Sequence, residues 1–194
     1  MELNMFDYYL IIANIVGFIL FAINTWLYTY TQEGQIDKGL TITALLGGSL
    51  GIIVSILLID RKAQKGNMMS RVFVACVFVI QIVIFLISKG FWGESITINF
   101  WKFFGEHNML LWYFVIINFI TFAAFAYDKI AAIEHKSRIR IVTLLALAFM
   151  GGSIGGLGAM YLYRHKTRQD YFTVGIPLIM IMQIVVIFYF MNVI

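Results

Sequence analysis

The sequence predicts an all-α fold, a polytopic transmembrane helix bundle of six hydrophobic segments in two three-helix repeats. Three observations lead there. First, six uncharged stretches run over 8–32, 39–59, 72–88, 108–127, 141–163 and 171–194. All but 72–88 reach the roughly 20 residues that cross a hydrocarbon core about 30 Å thick, and 72–88 crosses if Ser70 and Arg71 lie at the interface. Second, the chain has a single proline, so nearly all of it can be helix, which satisfies its own backbone in lipid. Third, the two halves resemble one another. With 61% hydrophobic and 12% charged residues, too little polar surface exists to cover a soluble core.

Taken in order, the first segment follows "MELNMFDYYL", which has no Lys or Arg and carries Glu2 and Asp7. A cleaved secretory signal begins with basic residues, so this segment is expected to stay as an anchor. Cys76 is the only cysteine, which excludes an internal disulfide or a thiolate metal cluster. The net charge of +4 reads as loop charge facing anionic headgroups, not as a nucleic-acid surface. Asn14, Gln81, Asn118 and Gln183 are polar residues inside hydrophobic runs, and interhelical hydrogen bonding is their expected role. The stretch 89–107 is rich in Phe and Trp and is expected to lie along the membrane interface. Pro177 is expected to kink the last segment.

A shift of 104 residues aligns positions 14–62 with the second half without a gap. Asn14 falls on Asn118, Phe21 on Phe125, Gly47-Gly48-Ser49 on Gly151-Gly152-Ser153, Gly51 on Gly155 and Lys62 on Lys166. After a two-residue slip, Gln81 falls on Gln183. The expected organisation is a repeat at 1–88, a linker at 89–107 and a second repeat at 108–194. Three crossings per repeat would invert the second relative to the first, as in several secondary transporters whose site lies between repeats.

Charge leaves two topologies open. With six crossings, Arg61, Lys62, Lys65, Arg71, Lys129, Lys136, Arg138 and Arg140 face six other cations across the membrane, a weak positive-inside bias. If 39–59 and 141–163 instead dip in and return, the split of the 14 Lys and Arg becomes twelve against two. Length favours crossing, since uncharged runs of 21 and 23 residues have no need to turn back. Six crossings are therefore the expectation. In that arrangement Asp128 and Arg164 sit about 30 Å apart at opposite ends of one helix and cannot pair. With re-entry they would share a side with His165, and His135 would join them.

Gly47, Gly48 and Gly51, like Gly151, Gly152, Gly155 and Gly156, contain pairs four residues apart. Such spacing lets helices pack closely, and the alternative is a helix break lining a cavity. Two polar clusters are the candidate functional residues: Asp128, Lys129 and Arg138, and Arg164, His165, Lys166 and Thr167. A carboxylate inside a membrane needs a cationic partner. Arg164 can fork onto an anion and His165 can titrate, while the plainer reading is a snorkelling basic anchor. No zinc-binding H-E-x-x-H, G-x-S-x-G or P-loop occurs. No cofactor or metal site is expected, and a membrane enzyme ranks third among the function classes.

The run "YDKIAAIEHKSRIR … LALAFMGGSIGGLGAMYLYRHKT" resembles domain-of-unknown-function family 1294, small bacterial membrane proteins. The resemblance is carried by Asp128, Lys129, Ala132, Arg138, Ile139, Gly151, Gly152, Gly155, Arg164, His165, Lys166, Thr167 and Phe172, over about 115–190. It implies a bacterial inner-membrane location and no particular activity. Arg140 stands where members often have proline, and the cold-shock-like domain some members carry is not expected within these 194 residues. The first half keeps the glycines but has Asn24-Thr25 for Asp-Lys and Asp60-Arg61-Lys62-Ala63 for Arg-His-Lys-Thr. Specific chemistry is therefore expected on the second half alone. The leading expectation is a small transporter or channel-like protein with its site between repeats. The alternative is a non-transporting protein that binds anionic lipid headgroups, or a membrane partner, through Arg-His-Lys-Thr. Oligomerisation stays open.

Overall fold

The computed structural model describes residues 4–31, 37–62, 65–93 and 96–193, so Glu2 and Ala63 lie outside the described residues. Every regular element among them is helical. Six helical segments are long and apolar enough to cross a membrane: Met5–Leu27, Lys38–Leu58, Met68–Ser88, Asn108–Ile133, Ile141–Leu162 and Asp170–Val193. The chain divides into two compact units, Met1–Ile82 and Val83–Ile194.

In the first unit, α1 (Met5–Thr31) is a single long helix. Next come α2 (Asp37–Thr43) and α3 (Ser49–Leu58), joined by a π-type turn at Ala44–Gly48. Within that turn Gly47 has φ +110°, a left-handed conformation open to glycine and costly for other residues. The helix path breaks there. Beyond the break, a methyl group on Gly47 would meet Leu10, one on Gly51 would meet the Asn14 carbonyl, and Ser55 donates to the Phe18 carbonyl at 3.4 Å. Residue numbers rise together on both helices, so α3 runs beside α1 in the same direction. The fourth helix, α4 (Met68–Ser88), brings Val74 to a buried cluster with Ala44, Ile52 and Ile56.

The second unit repeats this course. Its elements are α5 (Phe100–Glu106), α6 (Asn108–Ile133), α7 (Ile141–Leu147), α8 (Ser153–Leu162), α9 (Asp170–Thr173) and α10 (Gly175–Val193). Between α7 and α8 a π-type turn at Ala148–Gly152 contains Gly151 at φ +122°. Gly151 lies against Phe114 and Ile117, Gly155 against Asn118, Gly156 against Phe125, and Tyr163 against Phe122. So α8 ascends alongside α6 from its middle to its C-terminal end. The linker docks within this unit: Gly93 N–H donates to the Asn192 carbonyl at 3.0 Å, and Trp92 packs against Phe188 and Tyr189.

These contacts overturn the straight crossing expected for 141–163. A continuous helix over Ile141–Leu162 would hold its ends about 33 Å apart. Instead both ends lie at the C-terminal end of α6, because the glycine conformation reverses the chain midway. The segment is a hairpin. Within the second unit, the expectation of three straight crossings is therefore not met. Pro177 sits in the first turn of α10, after the break at Val174. There its missing N–H costs little, and mid-helix kinking does not arise.

Candidate functional site

The second hairpin is held at its tip and at its mouth. At the tip, breaking a helix frees the last carbonyls of α7 and the first N–H groups of α8, and lipid offers them no water. The protein supplies partners. Gln183 of α10 donates through Nε2 to the carbonyls of Ala148 at 2.7 Å and Phe149 at 3.1 Å. The Tyr113 hydroxyl donates to Met150 O at 2.5 Å, and Asn118 Nδ2 donates to Gly151 O at 2.9 Å. On the other arm Asn118 Oδ1 accepts from Gly155 N–H at 2.7 Å, and Ser153 Oγ donates to Gln183 Oε1 at 2.5 Å.

Among the described residues, the first unit has counterparts to all of these but the Asn118-to-Gly151 bond. Gln81 donates to Ala44 O at 2.5 Å and Leu45 O at 3.3 Å, Tyr9 to Leu46 O at 2.6 Å, and Asn14 Oδ1 accepts from Gly51 N–H at 2.8 Å. Ser49 bonds Gln81 as Ser153 bonds Gln183. The expected interhelical role of these Asn and Gln residues is met, and its specific content is capping of a broken helix. Tyr9 and Tyr113 escaped sequence reasoning. Each stands five residues before the paired Asn, a coincidence that the 104-residue shift could have exposed.

At the mouth sits Asp128, fully buried on α6. Its Oδ2 lies 2.7 Å from Lys166 Nζ, 2.8 Å from His165 Nε2 and 3.7 Å from Arg138 Nη2. Its Oδ1 accepts the Ile139 N–H at 3.0 Å. A carboxylate only accepts, so Nε2 of His165 carries the hydrogen in either charge state. Lys166 is 4% exposed, and its ammonium lies 4.8 Å from the centre of the Phe172 ring, a cation–π contact. Phe172 is itself packed edge-on against Phe125 at 5.5 Å.

One carboxylate thus grips the residues entering α7 (Arg138, Ile139) and the residues leaving α8 (His165, Lys166). This corrects the expectation that the two clusters lie at opposite ends of a helix. The backbone is bent to allow it: Lys166 takes φ +62°, a conformation L-residues rarely adopt. Not every candidate joins. Lys129 is half-buried and Thr167 half-buried, and neither bonds to Asp128. Arg164 is exposed. Gly156 meets only ordinary van der Waals neighbours, while Gly155 is pressed on the Asn118 backbone. Chemically the carboxylate is saturated, so another cation would have to displace Lys166. No group of His, Cys, Asp or Glu fit to hold a metal occurs among the described residues.

Residues 118–172 match the sequence profile of the family described as Protein of unknown function (DUF1294). The chain is also 35% identical over 75 residues to YsdA of Bacillus subtilis strain 168, an uncharacterised protein. That similarity covers 39% of this chain and 84% of YsdA. The chain belongs to the DUF1294 family. No solved structure matches it. The DUF1294 match begins at Asn118, the tip cap, and ends at Phe172, the ring beneath Lys166. Between those limits lie both the hinge glycine and every partner of Asp128.

Proposed function

We propose that this DUF1294 protein is a multi-pass membrane protein of the bacterial inner membrane whose second half binds anionic phospholipid headgroups through a basic rim around the mouth of the hairpin. The observation that carries this reading is how the charges are used. Lys166 is spent inside the protein on Asp128. Arg138 remains 53% exposed, and Arg140, Arg164 and Arg168 are exposed. From 128 to 170 the seven Lys and Arg outnumber three Asp and Glu, so this face carries +4. Each such cation near an anionic leaflet contributes about 1 kcal/mol of attraction. Re-entry of the second hairpin also puts Lys129, Lys136, Arg138, Arg140, Arg164, Lys166 and Arg168 on one side of the membrane, the excess expected of a cytoplasmic face.

The test is lipid retention by the purified chain, read by native mass spectrometry from mixed bilayers. Phosphatidylglycerol or cardiolipin should be retained over phosphatidylethanolamine, and replacing Arg138, Arg140, Arg164 and Arg168 with Gln should abolish the preference. Equal retention of neutral and anionic lipid by the native chain would end this reading.

A second reading, a small transporter or channel-like protein, is favoured by the glycine breaks within two membrane-length segments, a feature of transporter sites. Solute or ion flux into proteoliposomes that stops on Gly151→Val would support it over the first.

A further inference from the structure

Among the described residues, three helices end in the same hydrogen-bonded turn, in which an N–H reaches back to a carbonyl five residues earlier across a left-handed residue. At the end of α4 Phe91 bonds Leu86 at 3.0 Å, across Gly90 at φ +85°. At the end of α6 Lys136 bonds Ala131 at 2.9 Å, across His135 at φ +56°. At the end of α8 His165 bonds Met160 at 3.0 Å, across Arg164 at φ +45°.

Glycine is the residue that fits this position, and histidine is tolerated there better than most. Arginine gains nothing from the backbone. Lys166, also left-handed, has an internal reason for its conformation, because its ammonium must reach Asp128. For Arg164 no such reason exists: among the described residues its guanidinium has no hydrogen bond or ion pair. Immediately before it, Tyr161, Leu162 and Tyr163 are 60%, 68% and 39% exposed. Exposed tyrosines are enriched where acyl chains meet headgroups. A guanidinium beside such residues is placed to meet phosphodiesters, with the planar fork that matches phosphate oxygens.

We infer that Arg164 is the phosphate-contacting residue for an anionic phospholipid headgroup, kept at a glycine position for its side chain. This rests on the headgroup reading above. It concerns one residue of that rim and a single ligand class, a phosphate diester presented at the membrane surface.

The test uses the full-length chain in detergent doped with phosphatidylglycerol, read by thermal unfolding and by lipid titration. Arg164→Gly keeps the left-handed turn without a side chain. It should unfold at or above the native temperature in plain detergent, yet bind phosphatidylglycerol about tenfold more weakly, the loss of one charge-assisted contact. Arg164→Lys should fall between. If Arg164→Gly binds the lipid as the native chain does, the inference is wrong while the headgroup reading stands. If it unfolds at lower temperature without lipid, Arg164 has a structural role and the inference is again wrong. No preference for phosphatidylglycerol in the native chain overturns the headgroup reading itself. An equal thermal shift from soluble glycerol phosphate would move the site from lipid to free phosphate ester and overturn the assignment.

Discussion

Lys166 Nζ lies 2.7 Å from Asp128 Oδ2, although a complete membrane-length apolar segment, Ile141–Leu162, separates them in sequence. Charges at the two ends of a membrane-crossing helix cannot meet in this way. The pair is therefore both a bond and a record of chain direction: it exists only because the glycine turn brings the chain back. It also accounts for why a burial as complete as that of Asp128 is tolerated, since a carboxylate removed from water needs cations and hydrogen-bond donors around it.

Removing one partner of this pair should be costly. Asp128→Asn or Lys166→Met alone is expected to destabilise the chain by about 3–5 kcal/mol, the usual cost of stranding a buried charge. The double variant should lose clearly less than the sum of the two. Reversible unfolding in mixed micelles measures all three, and strict additivity would show that the pair is not coupled.

The hinge should separate glycines that look alike in sequence. Gly151→Ala forces a side chain into φ +122° with Phe114 at 3.0 Å, and a loss of about 1–3 kcal/mol is expected. Gly156→Ala meets its nearest neighbours at 3.4 Å and should change stability little. A thermal shift assay on the pair decides it, and equal effects would count against the hinge.

The tip caps should matter more than their exposure suggests. Asn118→Leu leaves the Gly155 N–H and Gly151 carbonyl without partners, at about 1–3 kcal/mol for each stranded group. Asn14→Leu should act in the same way on Gly51 in the first unit. Hydrogen exchange at Gly155 and Gly51 should accelerate in the respective variants, and unchanged exchange would mean that other groups take over the caps.

Sidedness can be measured directly. In a Cys76→Ser background, single cysteines at Lys136 and Arg168 should label from the same side of intact cells with a membrane-impermeant maleimide. Labelling from opposite sides would restore a straight crossing.

Much of this was legible beforehand. Apolar run lengths located all six helical segments, the 104-residue shift paired Asn14 with Asn118, and a further two-residue slip paired Gln81 with Gln183. The family signature named Asp128, Arg138, His165 and Lys166 as special. It did not say that they touch, and it included Lys129 and Thr167, which stay outside the cluster. Ile139 took part through its backbone N–H, a group that no side-chain pattern reveals.

Helical content, membrane character and the position of each break follow from local properties: hydropathy, the scarcity of proline, and glycine where φ must turn positive. Chain direction after the break does not. An apolar run of 22 residues around Gly-Gly suits a kinked crossing or a returning hairpin equally well as local structure. The choice depends on whether the freed backbone groups find donors and acceptors, and those come from Tyr113 and Asn118 on α6 and Gln183 on α10, more than 29 residues away. Closing the mouth depends likewise on Asp128. Hydrophobic burial is non-directional and could not distinguish the two paths; directional hydrogen bonds and one buried charge, assembled only in the folded unit, decide for the hairpin.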